Sequence, residues 1–226
     1  MNTLIKVFCL RITVICGIDE AGRGPVMGPL VVAGIQIERE DVFRGIGIRD
    51  SKRCTPGRRE RLAEIIREKA KDVYVVVLRA REIDALRKRR SLNEIEKDLF
   101  LQVMRRLRSD IYYVDSVDVD ADRFASLLER ELGFGAKIVS EHRAEDKYDV
   151  VAAASIIAKT ERDRFVREIE MELRKKLDIP LGSGYPSDPN TIRFLREWVK
   201  RYGELPPYVR RSWRTVRKLR FEQSRL

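Results

Sequence analysis

The order of the short apolar runs constrains this chain more than any other feature. Ile12–Ile18 and Leu30–Ile37 follow one another with no helical pattern between them. Val73–Leu78, Ile111–Val114 and Ala136–Val139 are each preceded by one. Most of these runs are rich in β-branched residues, which suit the pleated surface of a strand. Two strands on a short link form an antiparallel pair, and helix–strand units add strands by crossover. The order predicts an α/β fold, a mixed five-stranded sheet flanked by helices. If the first and fourth strands are neighbours, their ends are exposed together.

The helical patterns carry end signals. Thr55-Pro56 reads as an N-cap followed by Pro at N1, with Leu62, Ile65, Ile66 and Ala70 at helical spacing behind it. Ser91 and Glu94 form a capping box before Leu92, Ile95, Leu99, Val103 and Leu107. Phe124, Leu127 and Leu128 mark a short helix. A long helix is expected over about Val150 to Leu177. Its opening, Val151-Ala-Ala-Ala-Ser-Ile-Ile-Ala158, is small and apolar on nearly all sides, which predicts burial against the sheet with close backbone approach. Beyond Lys159 it becomes charged and amphipathic.

Gly182-Ser-Gly-Tyr-Pro-Ser-Asp-Pro-Asn190 is a loop by every turn signal. Two helical patterns follow, broken at Pro206-Pro207. A lobe boundary is expected between Thr160 and Glu170, dividing the chain into a catalytic unit, 1–165, and a helical basic lobe, 166–226. The length of 226 residues suits one large domain or one domain with such a lobe.

Charge bears on the partner. There are 47 Lys+Arg against 36 Asp+Glu, a net of +11. From Arg193 to Leu226 there are 11 basic and 3 acidic residues, so one terminal stretch holds most of the surplus. A polyanion is the natural partner, nucleic acid first. The plain alternative for the charge density is a thermophile's salt-bridged surface. Helical spacing of Arg210, Arg211, Arg214, Arg217 and Lys218 favours a phosphate-tracking face over a merely solvated one. With 43% apolar residues, wholesale disorder is excluded.

Cys9, Cys16 and Cys54 form no CxxC pair, which argues against a disulfide framework and a zinc site and fits a reducing cytoplasm. No apolar stretch approaches the ~20 residues of a membrane span. Lys6 and Arg11 interrupt the apolar N-terminal stretch, and residues before about Arg11 read as a non-essential extension.

Acidic groups stand at the ends of three runs: Asp19-Glu20, Asp115, and the cluster Glu141, Glu145, Asp146. Converging carboxylates repel unless a cation sits among them. All-oxygen ligands suit Mg²⁺ or Mn²⁺, and two such ions can cleave a phosphodiester. Solvated strand-end acids are the plain alternative. Neighbours on a regular strand face opposite ways, so Asp19 and Glu20 are expected to share a site only if the backbone leaves the strand there. Ala21-Gly-Arg-Gly-Pro25 supplies a break. Gly22 and Gly24 permit close backbone approach to a ligand, and Arg23 offers a phosphate-pairing guanidinium.

Gly17-Ile-Asp-Glu-Ala-Gly-Arg-Gly-Pro-Val-Met-Gly-Pro-Leu-Val-Val-Ala33 resembles the opening motif of the type 2 ribonucleases H, the ribonuclease HII family. The resemblance continues through Asp50-Ser-Lys52, Tyr113-Val-Asp115, Glu141-His-Arg-Ala144 and Val150-Val-Ala-Ala-Ala-Ser-Ile-Ile-Ala-Lys159. It ends in Gly184-Tyr-Pro-Ser-Asp-Pro189 and Arg211-Ser-Trp-Arg-Thr215. These motifs run in order from residue 17 to residue 215, and the archaeal-type members look most similar.

The resemblance implies a ribonuclease H-like fold with a helical C-terminal lobe. It implies Mg²⁺- or Mn²⁺-dependent endonucleolytic hydrolysis of RNA in RNA–DNA hybrids. It also implies cutting 5′ of single ribonucleotides embedded in duplex DNA, leaving 3′-hydroxyl and 5′-phosphate ends, chemistry that serves DNA replication and repair. Asp19, Glu20 and Asp115 match three of the four family acids. The fourth departs from the family's Ala-Asp pattern: Glu145 aligns, with Asp146 one residue later, and Glu145 is preferred. Gly22, Arg23 and Gly24 match the segment whose backbone reads the 2′-hydroxyl. Tyr185 matches a tyrosine that packs on the next deoxynucleotide, Lys52 matches a phosphate-contacting lysine, and Arg211 opens the last motif.

His142 is the single histidine, and metal-bound water needs no histidine base. Two other readings compete. One is a non-catalytic hybrid-binding protein on the same scaffold, which the altered fourth acid favours. The other is a proofreading-type exonuclease, whose acids usually stand two apart. Phe221-Glu-Gln-Ser-Arg-Leu226 does not fit a sliding-clamp-binding motif. A monomer with no obligate protein partner is expected.

Overall fold

A computed structural model describes residues 12–48 and 55–223, with side chains through Lys218. The N-terminal extension, Cys9, Cys54, Lys52 with its Asp-Ser-Lys motif, and the side chains of the C-terminal hexapeptide lie outside the described residues.

The strands are β1 (Ile15–Ala21), β2 (Leu30–Ile37), β3 (Asp72–Leu78), β4 (Ile111–Asp115) and β5 (Lys137–Glu141). They form one mixed sheet in the order β3-β2-β1-β4-β5. β1 and β2 pair antiparallel, as do β2 and β3, whereas β1–β4 and β4–β5 are parallel. The short link gives the antiparallel pair and the later crossovers give the parallel strands, with β1 and β4 adjacent. β1 starts at Ile15 rather than Ile12, whose side chain is exposed.

The helices are α1 (Pro56–Lys69), α2 (Ala80–Leu86), α3 (Leu92–Arg106), α4 (Ala121–Leu132), α5 (Asp149–Arg174), α6 (Pro189–Tyr202) and α7 (Arg214–Gln223). Thr55 caps α1 by accepting from the Arg58 N–H, with Pro56 in the first turn. The α3 capping box closes both ways: the Ser91 hydroxyl accepts from Glu94 N at 3.2 Å, and the Glu94 carboxylate accepts from Ser91 N at 2.6 Å. Such a cap contributes about 1 kcal/mol. The sequence patterns miss α2, a seven-residue helix whose N-cap is Arg79 rather than Ser, Thr, Asp or Asn.

The sheet has a core on each face. On one side Ile15, Val31, Ala33 and Ile35 pack under α5, whose residues Val150 to Ala158 are all buried. On the other, Cys16, Ile18, Leu30 and Val32 pack against α3 and α4. Two glycines let the helices approach. A Cβ on Gly17 would lie 2.4 Å from the Val150 carbonyl, and one on Gly34 would lie 2.3 Å from a Val103 methyl. The close approach expected of the small apolar segment is therefore made on β1 itself.

A third apolar cluster joins Ile169 and Leu173 of α5 to Phe194, Leu195 and Trp198 of α6, Val216 of α7, and Val26 and Met27 after β1. α5 runs unbroken through residues 165 and 166 and serves this cluster as well as the first. No helix among the described residues is long and apolar enough to cross a membrane.

Candidate active site

Side-chain alternation puts Asp19 on the α5 face of β1 and Glu20 on the α3 face. One carboxylate oxygen of each nevertheless lies within 4.8 Å of the other and of one from Asp115. The backbone does not leave the strand to achieve this. β1 stays paired with β2 through Asp19↔Ala33, Glu20↔Val32 and Ala21↔Val31. What stops is the other ladder, since β1–β4 pairing ends at Ile18↔Val114. Beyond it the β4 side of β1 has no ladder partner, and carboxylates from both faces meet beside the end of β4. The left-handed turn follows later, at Gly22 (φ 97°).

Each acid has its own support. Asp19 is buried and accepts from the Glu20 N–H at 2.7 Å and from the Ser155 hydroxyl. Lys159 donates to that hydroxyl at 2.7 Å, one helical turn further along α5. Burial still pushes the Asp19 carboxyl up to about 6. Asp115, the last residue of β4, accepts from Ala144 N at 2.7 Å. Burial, then the Asp19 charge, raises it to about 7. Burial, followed by Asp19 and Glu96, raises Glu20 well above the carboxylate range. Its Oε2 is sealed from solvent and has no hydrogen-bond partner among the described residues.

The fourth acid sits on a single 3-10 turn, Ala144–Asp146, entered through Arg143 in a left-handed conformation (φ 58°). That turn sends its two acids different ways. Glu145 hydrogen-bonds Asp115 and its charge also reaches Asp19. Asp146 pairs with Arg143 at 2.5 Å. The structure thus brings together Asp19, Glu20, Asp115 and Glu145 and turns Asp146 toward Arg143.

A crowd of buried carboxylates is unstable unless protons or cations neutralise it. The donor set here is all oxygen, with one carboxylate oxygen each from Asp19, Glu20 and Asp115 within reach of one point. A hard divalent cation fits it.

Beside the acids lies a cleft of about 660 Å³, bordered by Glu20, Gly22, Gly24, Arg59, Lys159 and Tyr185. Tyr185 is partly exposed, its ring 5.2 Å from the Arg162 guanidinium and 3.5 Å from where a Gly24 Cβ would stand. Arg23 differs from expectation. Its guanidinium is committed to α3, donating to Glu96 and, at 2.6 Å, to Asn93 Oδ1.

Arg210 also departs from the expected basic face. It is fully buried, bonding Gly28 O at 3.0 Å through Nε and stacking on Trp213. Arg211 is exposed, and its backbone N–H is held by Asp84 of α2 at 2.7 Å. His142 is exposed beside the Val119 carbonyl at 3.1 Å.

Sequence reasoning missed Ser155, Lys159, Arg162 and Glu96 as site neighbours. Ser155, Lys159 and Arg162 recur at helical spacing, Ser155 within an otherwise apolar segment, and Glu96 is an acid within an apolar stripe. Both were available signals.

The family model for ribonuclease HII matches residues 16–216. The chain belongs to the ribonuclease HII family. It is 43% identical over 218 residues to ribonuclease HII of Pyrococcus horikoshii, covering 94% of this chain and 96% of that one. With the Pyrococcus furiosus ribonuclease HII it shares 46% over 207 residues, 90% of this chain and 89% of the relative. The crystal structure of ribonuclease H2 from Pyrococcus horikoshii superposes with a TM-score of 0.87 at 42% identity, covering 94% and 100% of the two chains. The RNase HII of Archaeoglobus fulgidus, solved in complex with PCNA, gives 0.81 at 43%, covering 89% and 95%. Bst-RNase HIII, solved with Mn²⁺, shares the fold at 20% identity, with a TM-score of 0.77, 95% of this chain and 71% of that one. Membership makes this chain a type 2 ribonuclease H, an endonuclease, and sets aside the non-catalytic reading. The five-stranded mixed sheet with flanking helices is the ribonuclease H-like fold of these structures.

Proposed function

We propose that the chain hydrolyses the RNA strand of RNA–DNA hybrids and cuts 5′ of single ribonucleotides in duplex DNA, leaving 3′-hydroxyl and 5′-phosphate ends. The observation that carries this reading is the convergence of Asp19, Glu20 and Asp115 within 4.8 Å beside the cleft. These three, with Glu145, would hold two Mg²⁺ or Mn²⁺ ions. Ions so held supply an activated water and neutralise charge on the leaving oxygen.

The chain's own groups do the rest. Ser155 and the Glu20 N–H orient Asp19, and the Ala144 N–H orients Asp115. The Gly22–Gly24 backbone reads the 2′-hydroxyl, the group that separates RNA from DNA. Tyr185 packs against the following deoxynucleotide, and Arg162 above its ring supports that pose. Lys159 and Arg59 border the cleft and favour phosphate there. Lys52 contacts phosphate in the same reading, as does Arg211 on the exposed surface.

Residues 1–165 form the catalytic unit, and 166–226 a lobe that grips the duplex through phosphates; the third apolar cluster, drawn from 166–226 apart from Val26 and Met27, supports this division. Hybrid affinity then falls steeply with salt. The enzyme acts in the cytoplasm, as a monomer. The PCNA complex of the Archaeoglobus fulgidus relative makes a sliding clamp the protein partner to test, by gel filtration with and without PCNA.

The deciding experiment uses a closed circular duplex DNA carrying one ribonucleotide, with EDTA, Mg²⁺ or Mn²⁺. Metal-dependent nicking at the 5′ side of the ribonucleotide supports the reading, and excludes a need for ends. No nicking with either metal refutes it. Glu145→Ala and Asp146→Ala in parallel identify the fourth acid: loss is expected for the first and near-normal rates for the second.

A further inference from the structure

The loop after β1 lines the cleft next to Glu20, and its path is held by two buried charges from distant parts of the chain. Glu96 of α3 is fully buried, between Ile95 and Leu99 on the helix's apolar side. Its carboxylate receives the Arg23 guanidinium, whose other arm bonds Asn93 one turn earlier. Arg210, equally buried, lies just before α7. Its backbone N–H bonds Val26 O at 2.8 Å, and its guanidinium bonds Gly28 O at 3.0 Å and Arg23 O at 3.4 Å. So α3 holds the loop by a side chain, and the C-terminal segment holds it by backbone carbonyls.

An ion pair with one partner buried, as Glu96 is here, is a weak source of stability, because desolvation of that partner consumes most of the attraction. An apolar residue at position 96 would extend the stripe of Leu92, Leu99 and Val103 at no such cost. What the pair supplies is position. Position 22 itself requires glycine, since a Cβ there would lie 2.5 Å from Pro29 O and its φ of 97° is left-handed, so the path of this flexible residue must be set by its neighbours.

We propose that Glu96, seconded by Asn93, is a positioning residue: by anchoring Arg23 it sets the line of the Gly22–Gly24 backbone along the cleft, and thereby the preference for ribose over deoxyribose. This rests on the reading of that backbone given above.

The test is a binding ratio, not a rate. Two duplex DNAs identical except for one ribonucleotide are titrated in Ca²⁺, which takes oxygen ligands with looser geometry. In Glu96→Ala the preference for the ribonucleotide duplex is expected to fall about tenfold, the loss of one well-made hydrogen bond. Affinity for the all-DNA duplex should stay within about twofold, because phosphate contacts persist. Glu96→Gln keeps the volume and an acceptor for Arg23 and should restore most of the preference. Should Glu96→Ala not fold by circular dichroism, Asn93→Ala is expected to show a smaller loss of the same kind. An unchanged ratio in a folded variant overturns the proposal, as does an equal loss of affinity for both duplexes. A wild-type ratio near one overturns the loop reading along with it, which separates the two failures.

Discussion

The two faces of β1 treat adjacent carboxylates differently. On the α5 face Asp19 meets a hydroxyl, a backbone N–H and the charge of Lys159. On the α3 face Glu20 meets Glu96 and has one sealed oxygen with no partner among the described residues, with Arg23 as the compensating charge. Asp19 is thus braced by several donors, whereas among the described residues Glu20 has only the Arg23 charge to offset its burial. Two acids of one cluster can differ in what offsets their burial: for Asp19 the protein's own donors, for Glu20, in the reading proposed above, a bound cation.

Four experiments press on that contrast, from the largest effect to the smallest. Asp115→Asn removes the acid that both faces share. Hydrolysis should fall by about a thousandfold or more, since a misplaced cation forfeits several kcal/mol at the transition state, while hybrid binding persists. Single-turnover rates and gel shifts measure the two, and near-normal rates would mean the site lies elsewhere.

Gly17→Ala attacks the braced face through its packing, forcing a methyl against the Val150 carbonyl. A loss of about 3 kcal/mol in denaturant unfolding is expected. An unchanged midpoint would show that α5 can slide.

Asp19→Asn and Glu20→Gln break the comparison directly. Without metal at neutral pH, both should raise thermal stability, because each removes a carboxylate that burial holds above its ordinary pKa: Glu20→Gln by about 2 kcal/mol, and Asp19→Asn by about 1 kcal/mol, since its hydrogen bonds offset part of the cost. In both variants Mg²⁺ should stabilise less than in the wild type. Scanning calorimetry with EDTA and with Mg²⁺ reads this, and equal gains in the two variants would erase the distinction. His142→Ala, at an exposed residue beside the Val119 carbonyl, should leave kcat within about twofold.

Much of the fold was legible because its strands are short β-branched runs in an informative order. α2 was not, since Arg79 gives no capping signal and seven residues carry little periodicity. Asp19, Glu20 and Asp115 were legible because acids at apolar strand ends are conspicuous. Their convergence was legible only in outcome: the predicted departure of the backbone at Asp19-Glu20 is instead the early end of one ladder. Glu145 and Asp146 stayed open in sequence because the left-handed Arg143 sets which of them faces inward. The Arg23–Glu96 contact joins residues far apart in the chain, and no local pattern reports such a meeting.

α5 joins the first apolar core to the third. Its 26 residues, about 39 Å of continuous helix, carry Ser155 and Lys159 near one end and the apolar anchors of the C-terminal cluster near the other. A rod seated in both cores offers no hinge between them. In the reading proposed above, a duplex would therefore meet a caliper of one gauge, and its girth would be tested before any chemistry begins.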